Sequence, residues 1–183
     1  MRVGVIGLGT MGTGAARNLV AKGHDVVGCD LREAVRAELV AAGGQACFSV
    51  RARDRAGNVS TPSAWACAAV PLDDRSMSAS SGTARHLQLG ALGGTSTGLT
   101  RSGAYVALAG QQGRQLALIA LQGPGQGSVD VWAAGVKVGH VNLAYGTWRR
   151  VVVLLPVRPF RGTVMVNSVA TTESRIDAVA VLR

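Results

Sequence analysis

The sequence implies a mixed architecture: a partial α/β unit joined, without a linker, to an all-β region of sandwich or jelly-roll type. Two observations lead there. Residues 3–30 pass from an apolar run through a glycine-rich turn into a helical stretch and a second apolar run. From residue 46 helical periodicity disappears, Val, Thr, Ser and Gly dominate, and turn residues recur about every 8–12 positions. A length of 183 residues allows one domain or two small ones. The expected divisions are 1–45, 46–70 and 71–183.

Val3-Gly4-Val5-Ile6 reads as a buried strand that breaks into Gly7-Leu8-Gly9-Thr10-Met11-Gly12, a G-x-G-x-x-G spacing. Thr10 to Lys22 reads as a helix with Ala15, Ala16, Leu19 and Val20 on one face and Gly23 as its stop. His24 to Cys29 reads as a second strand, closed by Asp30. In this arrangement Gly7 permits the tight turn, Gly9 lets backbone approach a pyrophosphate, and Gly12 lets the helix lie close on the strand. The free N–H groups at the helix start then face phosphates. Asp30 stands where a carboxylate accepts hydrogen bonds from ribose hydroxyls, which favours NAD, whereas Arg32 suits the 2′-phosphate of NADP; the choice stays open. Gly7, Leu8, Gly9, Thr10, Met11, Gly12, Asp30 and Arg32 are the candidate cofactor-binding residues. Leu31 to Ala42 reads as a second helix stopped by Gly43-Gly44, completing a partial Rossmann βαβα unit.

Ile6-Gly7-Leu8-Gly9-Thr10-Met11-Gly12, then Asn18-Leu19 and Gly23-His24, resemble the start of the β-hydroxyacid dehydrogenases, the group of 3-hydroxyisobutyrate and 6-phosphogluconate dehydrogenases. The likeness covers about a quarter of the chain. It implies NAD(P) contact, weak or vestigial, because the remaining strands of the nucleotide domain and the helical domain of that family have no room here. The family's catalytic Lys, with an Asn four residues later, has one imitation, Lys137 and Asn142, with the wrong spacing and a strand-like Val-x-Val setting. Lys137 is therefore expected as an exposed residue of a hairpin. Catalysis as a dehydrogenase is not expected, and no catalytic residue is assigned.

Hydrophobic residues make up 48% of the chain and mean hydropathy is +0.25, which describes a folded protein rather than a disordered one. No apolar run approaches the ~18 residues of a membrane span. The net charge is +9, but beyond residue 45 its carriers are nearly all Arg, dispersed among strands, so nucleic acid is not an expected partner. The amino terminus does not read as a signal peptide, since glycines interrupt its short apolar run, and this points to the cytoplasm.

Cys47 to Asp54 alternates as a strand, Arg55-Ala56-Gly57-Asn58 makes a turn, and Val59 to Trp65 is extended. CFSVRARDRAGNVSTPSAW resembles the closing hairpin of a fibronectin type III domain, whose earlier strands are missing. Antiparallel pairing would bring Cys47 and Cys67 into bridging range in an oxidising compartment, and the resemblance points to a secreted or cell-surface setting for this part. The chain thus carries signs of two addresses, as a recombined fusion without joint function would. Cys29 reads as a small buried residue.

Pro71 to Asp74 reads as a connector with Asp73-Asp74 in a solvated turn, and 76–98 shows few strand signals. Strands are then expected at Tyr105–Ala109, Gln115–Leu121, Ser128–Ala133, Lys137–Leu143, Trp148–Leu155, Thr163–Val169 and Ile176–Leu182, with Ala134-Gly135 as a hairpin turn. The pattern resembles carboxy-terminal sandwich modules of bacterial surface proteins and carbohydrate-active enzymes. Such a module would bind a glycan or protein ligand or serve a structural role, with Trp132, Tyr145 and Trp148 the aromatic candidates for stacking on a sugar. His24, His86 and His140 lack the spacing of metal ligands, so no metal site is assigned.

Overall fold

In the computed structural model the chain divides into two units, Met1–Val70 and Pro71–Arg183. The structure describes residues 2–6, 10–23, 25–29, 45–49, 51–64 and 66–182.

In the first unit, β1 (Arg2–Ile6) and β2 (Asp25–Cys29) pair in parallel, from Arg2↔Asp25 to Ile6↔Cys29. Parallel strands need a crossover, and α1 (Thr10–Ala21) supplies it. Ala16 and Val20 are buried on its inner face and Leu19 is half-buried, whereas Ala15, expected on that face, is exposed. A 3.6-residue period leaves room for a narrow stripe only, and Ala15 falls beyond its margin. Gly23 closes the helix at φ 78°, its N–H donating to Val20 O at 2.9 Å. A Rossmann domain as such is not evident among the described residues. The expected helix at 31–42 and Gly43-Gly44 lie outside them.

β3 (Gln45–Phe48) and β4 (Ala66–Ala69) form a separate antiparallel pair. The expected strand through Asp54 stops early. Residues 51–64 are all exposed and carry a lone bridge, Arg53↔Val59, because a charged segment with nothing to pack on gains little from a longer ladder. Its turn is held locally: Asn58 N–H and Nδ2 donate to the two Asp54 carboxyl oxygens, each at 2.9 Å, and Gly57 adopts φ 93°.

The second unit is a sandwich of two antiparallel sheets. One runs β13-β10-β15-β8-β7, with β5 also on β15, and the other runs β12-β11-β14-β9-β6. The first comprises β5 (Leu72–Asp73), β7 (Thr83–Leu87), β8 (Thr95–Leu99), β10 (Gln115–Gln122), β13 (Arg149–Leu155) and β15 (Ser174–Leu182). The second comprises β6 (Ser78–Ala79), β9 (Tyr105–Gly113), β11 (Ser128–Ala133), β12 (Val136–Asn142) and β14 (Phe160–Ser168). The core lies between them. Leu116, Leu118, Ile176 and Val179 come from one side, and Val106, Val129, Val131, Val164 and Val166 from the other. Alternation on β11 sends Val129 and Val131 inward and Asp130 and Trp132 outward, as period-2 strands require. Ala134 and Gly135, at φ 49° and 81°, make the two-residue hairpin turn between β11 and β12.

Two expectations are corrected here. Residues 76–98 hold three strands, β6, β7 and most of β8. The sequence hides β8 because its buried face carries threonines. Pro71 to Asp74 is no solvated connector. Leu72 and Asp73 pair with Val179 and Ala178, and Asp74 has no solvent exposure. It accepts hydrogen bonds from Thr95 Oγ1 and Thr97 Oγ1, both at 2.7 Å, so one buried carboxyl group and two buried hydroxyls satisfy each other.

Candidate functional site

The site forms at the end of the sandwich where β10 finishes and β13 and β15 begin. Residues 143–148 cross there from the edge strand β12 of one sheet to the edge strand β13 of the other. Backbone hydrogen bonds pin this crossing: Leu143 N–H donates to Gly127 O at 2.9 Å, Gly123 N–H to Leu143 O at 3.0 Å, and Tyr145 N–H to Gly123 O at 3.1 Å. Leu143 is fully buried, so the loop is anchored from beneath.

Two aromatic rings stand on this anchored loop. Tyr145 is 46% exposed and Trp148 52%. The indole of Trp148 rests against Gly123, where a Cβ would meet the ring at 2.5 Å; only glycine leaves it this seat. The Arg149 guanidinium lies 3.6 Å from the Tyr145 ring centroid, and its Nε donates to Gln122 Oε1 at 2.9 Å. Gln122 Nε2 in turn donates to Asn142 O at 2.9 Å.

A charged row adjoins the rings. The Arg175 guanidinium is 5.2 Å from the Trp148 centroid, and its Nε donates to Glu173 Oε2 at 3.0 Å. The other carboxylate oxygen of Glu173 meets His86 Nε2 at 2.6 Å. Gly98 on β8 lies beneath this pair, and a side chain there would collide with both. The backbone of Arg175 is fixed by its own N–H donating to the buried Gln126 Oε1 at 2.9 Å. The row therefore has a preset geometry rather than a floating one.

Asp177, four residues along β15, is buried at a bulge where the register with β10 shifts. Its Oδ1 accepts from Leu92 N–H at 2.8 Å and its Oδ2 is 2.6 Å from Arg150 Nε. Burial pushes its carboxyl above the usual carboxylate value, against the opposing pull of the Leu92 hydrogen bond and Arg150. Chemically, the surface offers flat apolar rings bordered by a carboxylate, guanidinium groups and a carboxamide. That combination stacks on the apolar face of a pyranose while bonding its hydroxyls.

The structure separates the three aromatic candidates. Tyr145 and Trp148 come together, whereas Trp132 lies on the outer face of the second sheet, its Nε1 donating to Asn167 Oδ1 at 2.8 Å. Lys137 is exposed on the β11–β12 hairpin, as expected, and its Nζ in addition pairs with Asp130 Oδ2 at 2.6 Å, while His140 Nδ1 meets the other oxygen at 2.7 Å. Burial opposes the Asp130 charge, but the hydrogen bonds and charges of Lys137 and His140 outweigh it and hold the carboxyl below its usual value. The reading of Glu173, His86, Arg175 and Gln122 as one cluster was not available from the sequence, where His86 and Glu173 stand 87 positions apart. Among the described residues no group of three His, Cys, Asp or Glu is placed to hold a metal.

For the dinucleotide reading, Thr10, Met11 and Gly12 form the first turn of α1, with Met11 90% exposed. Gly7, Leu8, Gly9, Asp30 and Arg32 lie outside the described residues. The carboxyl ends of β1 and β2, Ile6 and Cys29, are direct partners, the edge at which parallel α/β sheets take ligands. Cys47 and Cys67 are direct partners on β3 and β4.

Residues 2–91 match the family of the NAD binding domain of 6-phosphogluconate dehydrogenase. The match runs past Val70 into β5, β6 and β7, which are antiparallel sandwich strands here. Among curated proteins there is no match. Among solved structures, the exo-β-1,3-galactanase of Phanerochaete chrysosporium, solved with β-1,3-galactotriose, is similar at TM-score 0.50 and 16% identity, over 63% of this chain and 30% of that one. This likeness shows the sandwich fold and nothing finer. The chain thus spans less than a third of the galactanase. A carbohydrate binding module of Cellvibrio mixtus lichenase 5A, solved with cellotriose, gives TM-score 0.49 and 17% identity over 62% of this chain and 95% of that one. The C-terminal module of a Zobellia galactanivorans laminarinase gives 0.49 and 13% over 62% and 98%. No helix among the described residues is long and apolar enough to cross a membrane.

Proposed function

We propose that the sandwich unit is a non-catalytic glycan-binding module whose ligand lies across Tyr145 and Trp148. The observation that carries this is Trp148, seated on Gly123 and about half exposed, beside the fixed Arg175–Glu173–His86 row. An indole held rigid by a glycine has little entropy to lose on binding a sugar, and hydroxyl-bonding groups surround it. Affinity electrophoresis through gels containing soluble β-glucan, β-galactan or xylan tests the proposal. Retardation by at least one polysaccharide, abolished in Trp148→Ala, is expected; free migration through the whole panel would refute it.

A second reading concerns the first unit, and the family match over residues 2–91 supports it. In this reading β1, α1 and β2 are the remnant of an NAD(P) site in which Gly7, Gly9 and Gly12 approach the pyrophosphate and Asp30 or Arg32 the adenosine ribose. A fragment without the later strands binds weakly. Titration with NADH and NADPH, with Asp30→Ala alongside, separates a working site from a relic. The β3–β4 hairpin belongs, in the same reading, to a fibronectin-like piece joined to this remnant, and the sandwich acts outside the cytoplasm, where its glycans are.

A further inference from the structure

The opposite end of the sandwich carries an unassigned cleft. β9 ends at Gly113, β10 begins at Gln115, β13 ends at Leu155 and β14 begins at Phe160, so the turns between them share one pole, away from Trp148. Two adjoining clefts of about 620 and 430 Å³ open there and share Pro159 and Phe160. The larger lies in the ~300–1,000 Å³ range of small-molecule sites. Its floor is apolar: Val157 and Phe160 are half-buried and pack against the core.

The rim is cationic. Arg158 borders the larger cleft, Arg114 and Arg161 the smaller, and all three are exposed. None has a carboxylate partner among the described residues. The sandwich has five acids, and each is paired with another base: Asp73 with Arg75, Asp74 near Arg85, Glu173 with His86 and Arg175, Asp177 with Arg150, and Asp130 with His140 and with Lys137, which also lines the larger cleft and is thereby neutralised. Arginines without a carboxylate partner on the rims of adjoining clefts with an apolar floor attract an anion. Their planar forks suit carboxylate, sulfonate or phosphate oxygens.

We infer that this pole is a second binding site, for a small organic anion with a flat apolar body, such as an aryl carboxylate. The body rests on Val157, Pro159 and Phe160, and the anionic group meets Arg158 and Arg161. A polysaccharide would leave the apolar floor unused, and a neutral apolar molecule would leave the guanidinium groups unpaired. The site is independent of the glycan proposal.

The test uses the full chain and anilinonaphthalene sulfonate, whose fluorescence rises in apolar surroundings, beside its uncharged parent phenylnaphthylamine. The expected result is saturable binding of one sulfonate per chain, weakened by added salt. The affinity should fall about fivefold in Arg158→Gln/Arg161→Gln, two exposed charges each contributing modestly. Trp148→Ala should bind the dye as the parent does. Unsaturable binding, equal affinity for the uncharged probe, or an unchanged affinity in the arginine variant would overturn the assignment, as would loss of binding in Trp148→Ala.

Discussion

Replacing Asp74 by Ala should be among the most damaging polar substitutions in the sandwich. The carboxyl group has no solvent exposure, receives two 2.7 Å hydroxyl bonds from Thr95 and Thr97, and has Arg85 Nε 3.5 Å away. Removing it strands two buried hydroxyls. An unmet buried polar group costs about 1–3 kcal/mol, so two give a loss of about 2–6 kcal/mol, a large part of a small domain's stability. Thr97→Val removes one bond and keeps the volume, and should cost about 1–2 kcal/mol. The double variant Asp74→Ala/Thr97→Val should cost less than the two losses added together, because both remove the same interaction. Urea unfolding followed by tryptophan fluorescence reads all three. Losses below about 0.5 kcal/mol, or strict additivity, would mean that these groups do not form the buried network and that the first strand of the sandwich is held some other way.

Other outcomes follow from single features. Leu118→Ala, in the fully buried middle of β10, should lose about 2–5 kcal/mol in the same unfolding experiment. The Asp130 carboxyl lies below its usual value in the folded chain. Its contribution to stability is therefore present above the unfolded value of about 4 and is lost as pH falls through the lower folded value. Urea midpoints measured down the acid range should fall less steeply for Asp130→Asn than for the parent, and parallel curves would contradict the pairing with Lys137 and His140. Because Cys47 and Cys67 are direct cross-strand partners, oxidative refolding should leave one titratable thiol per chain, Cys29, and three would show that the bridge does not form.

Much of the sandwich was legible because most of its strands obey simple rules. On β11 and β14 valines recur at every second position, Val129 and Val131, Val164 and Val166, because that face meets the core. The apolar runs of β10 and β15 also read as strands, being central in their sheet. β8 did not. Its sequence, Thr95-Ser96-Thr97-Gly98-Leu99, carries hydroxyls where a core strand usually carries hydrocarbon, and Asp74, more than twenty residues earlier, satisfies the two threonines. The same long-range pairing disguised Asp73-Asp74 as a solvated turn.

The site was half legible. Tyr145 and Trp148 could be singled out as aromatics near a strand boundary. Trp132 was grouped with them because composition does not say which sheet a strand joins; its register opposite Met165 sends it to another face. Glu173 and His86 become neighbours only because β7, β8 and β15 lie side by side, an order that no local pattern encodes. Gly123 gave no signal either, since its purpose is the space it leaves for an indole.

The most direct test of the account is a calorimetric titration of the parent chain, Trp148→Ala and Trp132→Ala with a polysaccharide that retards the parent. Saturable binding to the parent and to Trp132→Ala, and none to Trp148→Ala, is expected. Binding that survives in Trp148→Ala, or is lost in Trp132→Ala, would place the glycan on the other sheet face and contradict it.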